Sequence, residues 1–289
     1  MSNTSPIRFS FFGSSRFSVL ILDELERAGI LPISVITTPD KPQGRHLTLT
    51  PTLVKSWAVQ RNIPVHDPEI LDSSFAEKIA TEQAQVFVVA SYGKIIPASI
   101  INIPPRKTLN IHPSLLPIFR GASPLQSAIL HDTKDTGITL MRIDEKMDHG
   151  PIVAQEKIHV AEWPTYDVLE KEMAEKGAQL LIRTLPQWIN GSISEQEQDH
   201  VAATFTKKIV KEDGLVDLTG NAYSNFLKIQ AFHTWPQAYF FHEHAGKKIR
   251  VKITEASYSH SVLHITRVIP EGSKEISYED FQRGYSLLS

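Results

Sequence analysis

Over the first 190 residues, short apolar runs alternate with stretches of helical period, a pattern that predicts repeated βα units. Residues 7–12 read as a buried strand ending at Gly13, and Ser14 or Ser15 then caps a helix that turns Val19, Leu22 and Leu25 to one face until Gly29 stops it. A second strand over 33–37 completes a βαβ unit. Thr52 is placed to cap a helix running to residue 61, Val65 marks a short strand, Ser73 or Ser74 opens another helix, and 86–90 is an apolar strand. Strands over 109–112, 138–143 and 152–160 follow, with a helix over 124–131 between the first two. Thr165 caps a long helix to residue 190 with Leu169, Met173, Leu180 and Leu181 on its apolar face. The predicted class is α/β, a Rossmann-like doubly wound sheet.

The rhythm then breaks. Residues 191–206 are polar and read as a linker, and 207–289 as a second, smaller module. That module carries a helix over 219–231, a His233-Thr234-Trp235-Pro236 turn, and β-like runs at 238–241, 248–253 and 262–268.

Candidate chemistry gathers at the ends of the strands. Leu109 and Ile111 alternate with Asn110 and His112, so a two-residue period turns the amide and the imidazole to the same side. Pro113 removes a backbone donor, and Ser114, Pro117, Gly121, Ser123 and Pro124 shape a rigid loop beyond it. Such an arrangement fits a site, and the spacing alone fits a pair of satisfied core groups equally well. The backbone of Gly93, Lys94, Ile95 and Ile96 follows the 86–90 strand and suits either a heterocycle edge or a plain turn. Asp148, ahead of His149-Gly150, is either a turn residue or an acid. The loop over 38–51 mixes proline and glycine and suits a ligand contact or a surface excursion. After the first strand only Gly13 stands where a dinucleotide cradle needs three glycines, which argues against NAD and FAD.

Composition adds limits. With 289 residues, 41% hydrophobic and 21% charged, a net charge of −2 implies no strong polyelectrolyte partner by itself. Residues 207–289 hold 11 Lys and Arg against 9 Asp and Glu, so the second module is the more basic part. Lys207, Lys208 and Lys211, with Lys247, Lys248, Arg250 and Lys252, form either a phosphate-contacting face or a lysine-protected strand edge. The chain has no cysteine, which excludes disulfides, thiolate nucleophiles and iron–sulfur clusters held by it. No apolar run approaches the roughly 18 residues of a membrane span, and the start lacks the apolar core of a signal peptide, so a cytoplasmic protein without membrane contact is expected.

Assembled, these stretches resemble the methionyl-tRNA formyltransferases over nearly the whole chain. Asn110-Ile-His112, Ser114-Leu-Leu-Pro117, Arg120-Gly121 and Pro124 match the signature of folate-dependent formyltransferases, and Asp148 falls at that family's aspartate. Thr38-Pro39-Asp40-Lys41-Pro42 with Gly44-Arg45, Pro124-Leu-Gln126, and the run from Ala203-Thr-Phe205 through Lys211-Glu212-Asp213-Gly214 to Trp235-Pro236 favour the tRNA branch. The resemblance implies a formyltransferase catalytic domain over 1–191 and an OB-like β-barrel over 207–289 that helps hold the acceptor arm of initiator tRNA. It implies transfer of the formyl group of 10-formyltetrahydrofolate to the amino group of methionyl-initiator tRNA, without metal. Asn110 would donate to the formyl oxygen, His112 would take the amine's proton or share the oxyanion, and Asp148 would orient the imidazole and help relay protons to the leaving nitrogen. Folate would lie against Gly93, Lys94, Ile95 and Ile96 and against Ser114, Leu115, Leu116 and Pro117; tRNA would meet Arg45, Lys207 and Lys208. Amino-sugar N-formyltransferases share the first signature but look less like this second module; a formyl-folate hydrolase, with water in place of the amine, is an alternative from another reaction class. Two departures stand out. His46-Leu47-Thr48-Leu49 replaces the lysines relatives often carry, and only a dozen residues separate Ala256 from Ile269, so an abbreviated barrel is expected. A monomer is expected.

Overall fold

The computed structural model describes residues 7–43, 47–244 and 246–285, the side chain of Gln43 excepted. Its elements are β1 (Phe9–Phe12), α1 (Arg16–Arg27), β2 (Ser34–Ile36), β3 (Lys41–Gln43), β4 (Thr48–Thr50), α2 (Leu53–Gln60), β5 (Val65–His66), α3 (Ser73–Ala80), β6 (Val86–Val89), α4 (Ala98–Ile101) and β7 (Thr108–His112). They continue with β8 (Arg120–Gly121), α5 (Pro124–Leu130), β9 (Asp135–Arg142), β10 (Ile152–His159), α6 (Tyr166–Asn190), β11 (Phe205–Thr206), α7 (Ala222–Ala231), β12 (Tyr239–His244), β13 (Lys247–Ser259), β14 (Val262–Pro270), β15 (Ile276–Ser277) and α8 (Tyr278–Tyr285).

The central sheet has the order β10-β9-β7-β6-β1-β2-β5. β5, β2, β1, β6 and β7 run parallel, and β9 returns antiparallel beside β7. β1 and β6 are apolar at nearly every position because helices cover both faces of a parallel sheet; Phe9, Phe11, Phe12, Phe87 and Val88 are fully buried. The order reverses between β1 and β6, the crevice where doubly wound sheets bind ligands.

Helix starts follow local chemistry. Ser15 and Ser18 make a capping box on α1, and Thr52 accepts from Lys55 N on α2, as the sequence predicts. At α3 the cap is Asp72 rather than Ser73 or Ser74, its carboxylate accepting from Phe75 N at 2.9 Å. At α7 it is Asn221, so that helix starts later than the 219 expected. The loop over 38–51 contains a small hairpin, β3 against β4, whose base is held by Lys55 Nζ to Asp40 at 2.9 Å and Asp67 at 2.6 Å.

The chain divides into two compact units that interleave along it. One comprises 1–120, 137–158 and 171–205; the other comprises 121–136, 159–170 and 206–289. In the second unit α5 and α7 pack together around Asp132, which accepts from Trp163 Nε1 at 2.6 Å and Tyr223 Oη at 2.9 Å. The unit's sheet is antiparallel in the order β12-β13-β14-β15, closed underneath by α8, which the sequence reading did not anticipate. β13 and β14 are long strands joined through His260 and Ser261, both at positive φ, so the short spacing from 256 to 269 is a tight hairpin. The expected abbreviation takes the form of an open four-stranded sheet.

Glu82 crosses three strands of the main sheet. His66 Nε2 on β5 lies 2.6 Å from its carboxylate, and the hydroxyls of Ser34 on β2 and Ser10 on β1 donate to it. Partial burial pushes its carboxyl up, yet these bonds together outweigh that and hold it below the usual range. A carboxyl lowered by folding contributes stability above its unfolded pKa and loses it as pH falls through the folded value. Glu82→Gln is therefore expected to cost about 1–3 kcal/mol at neutral pH, a deficit that narrows in thermal melts below about pH 4.

Candidate active site

β7 lies between β6 and β9, with Asn110 level with Val89 on one side and Met141 on the other. Leu109 and Ile111 are buried, and Asn110 and His112 share the opposite side of the strand. The turn between β9 and β10 folds over that side. Asp148 Oδ1 lies 3.5 Å from Asn110 Nδ2 and 3.8 Å from His112 Nδ1. The imidazole is 4% exposed, and its Nε2 is 3.0 Å from the carbonyl oxygen of Phe119. A carbonyl only accepts, so Nε2 carries the hydrogen and Nδ1 is the atom free to take a proton beside the carboxylate.

The turn that delivers Asp148 is tightly built. Asp148 has φ +48°, a conformation aspartate tolerates better than most residues. Asp144 accepts from Lys146 N at 2.9 Å and pairs with His149 Nδ1 at 2.7 Å. Any Cβ at Gly150 would lie 2.0 Å from the Arg142 carbonyl oxygen, so only glycine fits.

The two loops expected to hold folate differ in character. The loop after β7 is internally bonded: Ser114 Oγ donates to Ile118 O, Thr139 Oγ1 donates to Ser114 O, Leu116 N donates to Thr139 Oγ1, and Gln155 Nε2 donates to Leu116 O. Ser114 and Leu116 are buried; Leu115 packs closely over Gly137, and Pro117 follows a cis bond. The loop after β6 is open. Gly93 has φ +84° with empty space around it, Ile95 is 83% exposed, and Ile96 packs on the core around Phe12 and Phe87. Lys94 Nζ donates to the carbonyls of Pro68 and Glu69, 2.9 Å each. Among the described residues, no backbone hydrogen bond takes up the amides or carbonyls of 93–96. Tyr92 is buried edge-on against Phe12 with no partner for its hydroxyl among the described residues, and burial pushes its pKa up to about 12.

The family model described as formyl transferase matches residues 7–185. The chain belongs to the formyltransferase family. Among curated relatives, the methionyl-tRNA formyltransferase of Chloroflexus aggregans is 41% identical over 246 residues, 85% of this chain and 79% of that one. The methionyl-tRNA formyltransferase of Dictyoglomus turgidum is 32% identical over 97% of both chains. Among solved structures, HypX from Aquifex aeolicus in complex with tetrahydrofolic acid aligns with a TM-score of 0.67 at 16% identity, over 97% of this chain and 48% of that one. A 4-N formyltransferase from Francisella tularensis aligns at 0.65 and 17% identity, over 87% of this chain and 99% of that one. At such identities the likeness is one of formyltransferase fold.

The remaining expected residues of this formyltransferase are those for tRNA. Arg45 is outside the described residues. Lys207 is exposed and paired with Asp213 at 2.8 Å, and Lys208 is exposed. Leu47 and Leu49 project from the β3–β4 hairpin as exposed apolar side chains. No helix among the described residues is long and apolar enough to cross a membrane.

Three side chains stand behind Asp148, and two of them, Gln198 and His200, escaped the sequence reading. Gln198 Nε2 donates to the carbonyls of Asp148 at 3.0 Å and Gly150 at 2.6 Å; its Oε1 accepts from Arg120 Nε at 3.1 Å and Nη2 at 2.6 Å. Arg120 Nη2 also donates to His200 Nδ1 at 2.9 Å, and the His200 ring stacks on His149 with centroids 4.0 Å apart. Arg120 was legible only as part of the Arg-Gly pair. Gln198 and His200 sit in a polar run with no periodicity to mark them.

Gly150→Ala should force the Arg142 carbonyl aside, costing about 1–3 kcal/mol in chemical denaturation and reducing turnover of the folded protein.

Proposed function

We propose that this chain transfers the formyl group of 10-formyltetrahydrofolate to the amino group of methionyl-initiator tRNA. The observation that carries the reading is the convergence of Asp148 on Asn110 and His112, within a member of this family whose curated relatives are methionyl-tRNA formyltransferases. The unspent backbone of 93–96, a few residues beyond the Val89–Asn110 pair, suits the hydrogen-bonding edge of a pterin. Lys94 contributes by pinning that loop through its two carbonyl bonds rather than as a free charge. The bonded loop 114–117 forms a rigid wall, with Leu115 and Pro117 only partly covered.

The donor supplies an electrophilic formyl carbon. Attack by the unprotonated amine places negative charge on the formyl oxygen, and Asn110 donates an amide hydrogen to it. His112 Nδ1 takes the proton lost by the amine, Asp148 stabilises the resulting imidazolium, and that proton then passes to the departing folate nitrogen. Holding both partners in one site supplies the rest of the acceleration.

In the second unit, the register places Tyr239, Phe241 and Glu243 on the same sheet face as Lys252, Arg250 and Lys248. Lys248 Nζ sits 4.5 Å from the Phe241 ring centroid and the Arg250 guanidinium 5.5 Å from that of Tyr239. Cations interleaved with aromatic rings suit an RNA backbone and its bases, and Lys207 and Lys208 of the same unit are further tRNA contacts in this reading; Arg45, outside the described residues, is proposed from the sequence alone.

Incubation with formyl-folate and charged initiator tRNA should yield formyl-methionyl-tRNA. Formate release without acceptor, or formylation of a nucleotide-linked amino sugar instead, would overturn the assignment. Asn110→Ala should lower kcat by about 10²- to 10³-fold, with His112→Ala and Asp148→Ala also collapsing turnover in folded protein. Replacing Lys248 and Arg250 with Ala should raise KM for tRNA alone and lower the salt dependence of binding by about one slope unit per lost phosphate contact. An unchanged slope would remove that face from the tRNA site.

A further inference from the structure

Gln198 is buried, 5% exposed, and its amide is saturated: two hydrogens donated, two lone pairs filled. The bonds have a direction. Its donor end grips the carbonyls on either side of His149, the two peptide groups that set the orientation of the Asp148 turn. Its acceptor end is held by the fork of Arg120, which is 3% exposed and leans over the Phe205 ring at 5.9 Å.

Arg120 is adjacent to Phe119, and the Phe119 carbonyl is the acceptor for His112 Nε2. Phe119 is itself held by its amide to Thr204 Oγ1 at 2.8 Å, and Arg120 by its amide to Thr204 O at 2.9 Å. One dipeptide therefore references both partners of the proposed proton transfer. Phe119 fixes the ring through its carbonyl, and Arg120 fixes the carboxylate's turn through Gln198.

We infer that Gln198, oriented by Arg120, is a positioning residue for formyl transfer, setting the Asp148 carboxylate against His112 Nδ1. The inference rests on the proposed function of Asn110, His112 and Asp148. Gln198 touches none of the reacting atoms; it acts by denying the 148–150 turn any other orientation. A side chain that accepts at both ends cannot replace it, because two carbonyl oxygens face it.

The test is a kinetic cycle on the full chain with formyl-folate and charged initiator tRNA, comparing wild type, Gln198→Ala, Asp148→Ala and the double variant. Gln198→Ala should lower kcat by about 10²-fold, the scale expected of a misplaced carboxylate, with KM for both substrates little changed. In the Asp148→Ala background the same change should add less than about twofold, since there is no carboxylate left to place.

Gln198→Glu provides a second readout that keeps the Arg120 contact and the side-chain volume. Only its protonated form donates to the turn, so its kcat relative to wild type should rise as pH falls. Wild-type kcat in Gln198→Ala, a loss repeated in full without Asp148, or a pH-independent ratio for Gln198→Glu would each overturn the positioning role. Undiminished turnover in Asp148→Ala would instead overturn the site assignment on which the role rests.

Discussion

The site depends on the antiparallel return of β9 beside β7. Neighbouring strands lie about 4.8 Å apart, and with Leu109 paired to Arg142 and His112 to Thr139, the connection after Arg142 leaves level with the start of β7, where Ile143 N donates to Thr108 O. Residues 144–151 fold back over the Asn110 and His112 side before the chain enters β10, which lies on the far edge of β9. Two glycines permit the closeness: a Cβ at Gly137 would collide with the Glu156 carbonyl and the Leu115 side chain, and one at Gly150 with the Arg142 carbonyl. Thr139, opposite His112, also bonds the carbonyl of Ser114 and the amide of Leu116, so the strand pair that brings back Asp148 fixes the following loop as well.

This arrangement gives the three side chains unequal freedom. His112 is the constrained one, buried and committed through Nε2 to a backbone carbonyl. Its Nδ1 faces Asp148 across 3.8 Å, two acceptors with a space for one proton between them. Asn110 has two amide hydrogens, one of them directed at Asp148 at 3.5 Å.

The second unit solves a different problem. A four-stranded sheet with one covered face has an outer face that must be solvated or used. Val251, Ile253, Phe240 and Val268 form the covered face with Phe281 of α8, and the strand period then places lysine, arginine and aromatic rings outward together. The cations and aromatic rings on this sheet contrast with the exposed Leu47 and Leu49 of the β3–β4 hairpin.

The sequence by itself determined the periodic elements and the residue types of the site. Val86 to Val89, Leu109 to His112 and the serine and threonine caps carry their structure in local pattern, because burial on a pleated sheet and capping by a nearby hydroxyl are short-range effects. The candidate set of Asn110, His112 and Asp148 was read through family signature, not through spacing. Tertiary structure alone decided that the chain folds as two interleaved units, that the 38–51 loop contains a hairpin, and that Arg120 and Gln198 stand behind Asp148. The reason is physical: a glutamine bonded to carbonyls 48 and 50 residues away has no periodicity, charge or apolar neighbour to betray it. Its role exists only once β9 has returned beside β7 and left two peptide oxygens in need of a donor.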